Sequence, residues 1–141
     1  MNEEKIKELF NKKEQLLEEY HRANDEYHSA LLEDFADYKG KYIVIDDSKY
    51  MYVDNFFTDI RDRYTELIIN GKGFEFEISE YDDDCYFSSE MLMQETVKLD
   101  KYSPNSIENQ LNKHIEIIDK ITFLETFSYA LSEYQKQWFE N

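Results

Sequence analysis

TELIINGKGFEFEIS, residues 65–79, carries the pattern that decides the fold class of this chain. T-E-L-I-I-N is rich in β-branched side chains, and Gly71-Lys72-Gly73 reads as a turn. F-E-F-E-I-S alternates strictly, which puts Phe74, Phe76 and Ile78 on one face of a strand and Glu75, Glu77 and Ser79 on the other. The expectation is an antiparallel hairpin. A second hairpin precedes it: K-Y-I-V-I at 41–45, a turn at D-D-S-K, and Y-M-Y-V at 50–53. F-F-T-D-I-R-D-R fits either a continued strand or a helical turn. Downstream, D-D-D at 82–84 reads as a third turn, followed by C-Y-F-S-S and M-L-M-Q-E-T-V-K-L as strands with Met, Val and Leu turned inward. The sheet expected is small, bent and antiparallel, with five or six strands, open or barrel-like.

Helical patterns flank it. From Asn2 to about Asp37 no Pro or Gly intervenes, and Gly40 stands where a helix C-terminal glycine belongs. The apolar positions form a heptad, with Ile6, Lys13, Tyr20 and Tyr27 at one seam position and Leu9, Leu16, Ala23 and Ala30 at the other; Phe10, Leu17 and Leu31 widen the stripe. Two readings stay open: a self-pairing coiled coil, in which Leu9, Leu16, Tyr20 and Tyr27 make a homodimer, or a helix packed on its own domain. After Ser103-Pro104, Ser106 caps a short helix to about Asn112, and H-I-E-I-I reads as a last strand. Thr122 and Glu125 make a capping box for a final helix with Leu124, Phe127, Leu131, Tyr134 and Trp138 on one face. The whole is an α+β domain, with a long helix over 1–39 and a core over 40–141 that ends in a helix packed on the sheet.

Composition bounds the function. In 141 residues, a hydrophobic fraction of 41% with 12 Tyr and 10 Phe is that of a folding chain, not a disordered one. Sixteen basic against 32 acidic residues give a formal charge of −16, a field that repels nucleic acid and anionic membranes and attracts basic proteins. One cysteine, Cys85, allows neither an intrachain disulfide nor a thiolate zinc cage. With a charged opening and no membrane-length apolar run, the expectation is a cytoplasmic protein that binds neither membrane nor nucleic acid directly.

The chemistry-bearing patterns are thin. Three glycines cannot build a phosphate-cradling loop, and no Ser, Cys or His falls in a nucleophile motif, so the expectation is a non-enzyme without cofactor. His21, Asp25 and His28 are spaced i, i+4 and i+7 on one helix face, where a cation could be shared; a solvated face is the ordinary reading. Asp82, Asp83 and Asp84 lack the ligand ladder of a Ca²⁺ loop. The acidic neighbours of Cys85 weaken it as a nucleophile, so it reads as a structural thiol.

Surface remains. Asp46, Asp47, Glu75, Glu77, Glu80, Asp82, Asp83 and Asp84 fall in the turns and outer strand faces, an array that a basic groove could take for phosphates. The alternative is that these charges only solubilise the domain and blunt its sheet edges. Tyr38, Tyr42, Tyr50, Tyr52, Tyr81 and Tyr86 are candidate interface anchors. With its charged helical opening, the hairpin strings K-Y-I-V-I-D-D-S-K-Y-M-Y-V and G-K-G-F-E-F-E-I-S-E-Y-D-D-D, and T-F-L-E-T-F-S-Y-A-L at the end, the chain resembles the small acidic phage and prophage proteins that include anti-CRISPR and other anti-defence inhibitors. That resemblance implies a non-enzymatic inhibitor of a basic host protein, such as a CRISPR effector or another nucleic-acid-binding protein. The other classes carried forward are an assembly protein dimerising through its first helix and a metal-dependent enzyme on the histidine face.

Overall fold

A computed structural model describes residues 2–61, 63–81, 84–103 and 106–139, with the side chains at 31 and 34 outside it. Leu31 as a stripe residue and Asp82 and Asp83 as surface acids therefore lie outside what is described. Helix α1 runs Glu3–Phe35 and continues into a 3₁₀ turn at Ala36–Tyr38. Asn2 caps it, its side-chain oxygen accepting from the Lys5 amide at 3.1 Å, and Glu3 and Glu4 complement the positive end of the helix dipole. Gly40, at φ 79°, then turns the chain into the sheet.

The strands are β1 (Tyr42–Ile45), β2 (Lys49–Ile60), β3 (Tyr64–Ile78), β4 (Cys85–Asp100) and β5 (Ile115–Ile118), in the order β4-β3-β2-β1-β5, with every neighbouring pair antiparallel. The β1–β2 hairpin is as expected. Asp46 and Asp47 take φ of 50° and 61°, and the Ser48 amide closes the turn on the Ile45 carbonyl, the left-handed pair that a two-residue hairpin needs. The hairpin expected at Gly71–Gly73 is corrected: both glycines lie inside one 15-residue strand. A Cβ on Gly71 would sit 1.8 Å from the Tyr52 carbonyl oxygen, and one on Gly73 1.9 Å from that of Tyr50. The glycines serve close approach of the β2 backbone, not chain reversal. Register shifts beside them, between Val53 and Asn55 on β2 and opposite Gly71 and Gly73 on β4, bend the sheet into a half-barrel.

This curl separates two packing layers. The residues Thr65, Leu67 and Ile69 face a core with Ile43, Ile45, Met51, Val53, Val97 and Leu99, closed by Phe35 from α1 and Leu111 from α2 (Ile107–His114). Past the glycines the buried side of β3 switches. Phe74 packs on the opposite face, stacked 4.8 Å from Tyr50 and within 5.3 Å of Phe123 and Phe127 from α3 (Lys120–Phe139). Helix α3 begins earlier than the capping box implies. Asp119 accepts from the Thr122 amide at 2.7 Å, and that bond holds its carboxyl below the usual range, so Thr122 lies inside the first turn. Its packed face is accordingly Phe123, Phe127, Ala130 and Tyr134, with Leu124 and Trp138 exposed. Ser106 caps α2 as expected, its Oγ accepting from Asn109.

Candidate interaction surfaces

Only the last third of α1 packs on the domain. The Tyr27 hydroxyl reaches Thr65 Oγ1 at 3.5 Å, His28 Nδ1 lies 2.8 Å from Thr58 Oγ1, and Phe35 is fully buried. Every residue from Asn2 to Ala23 is exposed. Those six turns carry Ile6, Leu9, Phe10, Leu16, Leu17 and Tyr20, each between 45% and 62% exposed, in the stripe that the heptad marks. The reading of a helix packed on its own domain thus holds for the turns beyond about Ala23, and the turns before it leave their apolar stripe exposed. Among the four expected seam residues, Leu9, Leu16 and Tyr20 are more than half exposed, whereas Tyr27 packs against its own domain's core.

The acids divide too. Asp46 Oδ1 is paired with His114 Nδ1 at 2.7 Å. Asp47 is exposed in the β1–β2 turn, and its charge, with that of Glu116, adds to the burial that pushes the Tyr50 hydroxyl up. Glu75 shares a register row with Lys49 and Ser88. Lys49 crosses β3 to pair with Glu95 on β4 at 2.9 Å, a reach that a flat sheet with strands ~5 Å apart makes difficult. Its ammonium is held above the usual lysine range, first by the hydrogen bond to Glu95 and then by the nearby charges of Glu95, Glu75 and Asp46, with burial opposing. Glu77, Glu80 and Asp84 do converge: with the exposed Tyr81 and Tyr86 they line a depression of about 490 Å³ at the β3–β4 end. The six described acids among those expected are therefore spread over more than one place, and a lysine stands among those on the concave face.

Of the candidate tyrosine anchors, Tyr81 and Tyr86 are exposed, while Tyr38, Tyr42, Tyr50 and Tyr52 are partly packed. The sequence reading missed an apolar groove of about 390 Å³ between α3 and the sheet, lined by Tyr42, Tyr52, Phe74, Met91, Phe123 and Phe127. Met91 and Leu92, expected to turn inward, are instead exposed at the β4 irregularity, where the register shift breaks the alternation.

The histidine face is solvated at His21 and Asp25, which are exposed. His28 is engaged by Thr58 on the sheet, and among the described residues no three His, Cys, Asp or Glu side chains are placed to share a cation. Cys85 is buried, its amide donates to Gln137 Oε1 on α3, and burial followed by the charge of Glu133 pushes its thiol up, against a nucleophilic role.

No family model, curated protein or solved structure matches this chain. Among the described residues, no helix is long and apolar enough to cross a membrane.

Proposed function

We propose that this is a non-enzymatic assembly protein that works as a homodimer joined through the free part of α1. One observation carries the reading: six large apolar side chains lie along a single stripe of six helical turns, each 45% or more exposed and none of them part of the domain's core. These turns extend a helix that its docked third already nucleates, so their helicity rests on propagation alone, which is close to balance in water. Contiguous exposed apolar surface of this kind marks an interface. Dilution tests it. Helical circular dichroism of the full chain is expected to fall between about 100 μM and about 1 μM as residues 3–23 lose their partner, since stability gained by association is concentration-dependent. A helical signal unchanged across that range, in a chain that is monomeric throughout, removes the reading.

A second reading is favoured by the convergence of Glu77, Glu80 and Asp84 beside exposed Tyr81 and Tyr86. In it the acidic β3–β4 end occupies the nucleic-acid groove of a basic host protein in the host cytoplasm, the anti-defence role that the sequence resemblance implies. Its expected signature is competition with DNA for a purified CRISPR effector, weakening steeply with salt. The combined Glu77→Gln, Glu80→Gln and Asp84→Asn variant should lose that competition. Competition that is insensitive to both changes rules this reading out.

A further inference from the structure

The free stripe of α1 is built to pair with a second copy of itself running the opposite way, and the charges beside it select both orientation and register. This inference rests on the dimeric reading above. On the heptad of Ile6, Lys13, Tyr20 and Tyr27, one flank of the seam carries Lys5, Lys12, Glu19 and Glu26, basic in the first half and acidic in the second. A parallel pair would set these residues against the other flank, where Phe10, Leu17 and Asn24 stand, and would put Lys13 of both copies in one core layer. Neither is favourable.

In antiparallel coiled coils each flank meets its own kind. We infer that the two copies pair antiparallel with Lys5 opposite Glu26 and Lys12 opposite Glu19 of the second copy. That single register also sets Ile6 against Ala23 and Leu9 against Tyr20, large against small or flat, and closes the other flank with Phe10 on Leu17. Lys13 falls near the two-fold axis, its stem over Leu16 of the second copy and its ammonium reaching to water. It acts as the polar seam position that fixes register at a cost in stability.

The length of the free helix agrees. In this register the second copy's Ile6 arrives at Ala23, where α1 meets its domain. There Tyr20, Ala23, Asn24, Tyr27, Ile60 and Ile107 line a groove of about 590 Å³ able to seat the incoming helix end. The two domains then lie at opposite ends and do not compete for space. Covering the exposed parts of six side chains on each copy removes on the order of 1,200 Å² in total, the lower edge of a stable interface.

Single cysteines test orientation, in chains whose buried Cys85 is replaced by alanine. Leu9→Cys and Tyr20→Cys chains, mixed and oxidised, are expected to give a covalent heterodimer on a non-reducing gel, while each alone stays uncrosslinked because like positions lie too far apart for a disulfide. Both sites are exposed in the protomer, so folding is not at stake. Crosslinking of Leu9→Cys with itself overturns the antiparallel pairing but leaves the dimer standing. A dimer by mass without crosslinking in any mixture overturns the register, and a monomer overturns both.

Discussion

Gly73→Ala is expected to destabilise the protein severely, bringing its thermal transition far below that of the unmodified chain. A Cβ at 73 would lie 1.9 Å from the Tyr50 carbonyl oxygen and 2.7 Å from the Met51 Cα, and both are backbone atoms of a central strand that cannot step aside like a side-chain tip. Relief requires β2 and β3 to part where Met51 pairs with Gly73, and Met51 is fully buried in the core. Disruption of this kind belongs to the tail of mutational effects, about 4 kcal/mol or more, against a total stability of about 5–15 kcal/mol for a domain. Gly40→Ala is the control. There the new methyl has room, 3.9 Å from the Tyr52 hydroxyl, and only the left-handed backbone resists it, at a cost of about 1–2 kcal/mol. A Gly73→Ala protein that melts like the unmodified one would mean that β2 and β3 do not approach as described.

These glycines also mark where the sequence was readable and where it was not. Period-2 alternation in F-E-F-E-I-S placed Phe74 and Phe76 together on one face, and they do pack on α3, Phe76 edge-on to Tyr129 at 5.9 Å. G-K-G was misread because a glycine that permits a turn and a glycine that permits close backbone approach look alike in a string. What separates them is the partner strand, which sequence does not show. The Thr122–Glu125 box failed for a related reason: Asp119, three residues earlier, competes for the same helix start and its carboxylate wins. The acids were visible as residues but not as an arrangement. Sequence spacing could not foresee that Lys49 reaches across a strand to Glu95, or that Asp46 meets His114 from the end of α2. The helical run of α1, in contrast, was legible, because helical periodicity is local; only the point near Ala23 where it leaves the domain needed the fold.

Changing Leu9 and Leu16 together to glutamate is expected to break the dimer while sparing the domain. Both side chains are more than half exposed in the protomer, so the fold loses no packing. In the pair they supply four seam positions, each contributing about 1.5–3 kcal/mol when buried, and glutamate adds desolvated charge. Association should weaken by at least about a thousand-fold. The thermal transition of the sheet and α3 should persist, with loss of helical signal confined to the free turns.

Joining through the free turns of α1 is the claim on which the rest depends, and sedimentation equilibrium of the unmodified chain at tens of micromolar tests it most directly. A mass of twice the 17.2 kDa chain, reverting to one chain in the Leu9→Glu, Leu16→Glu variant, is the predicted result. A single-chain mass for the unmodified protein would contradict it.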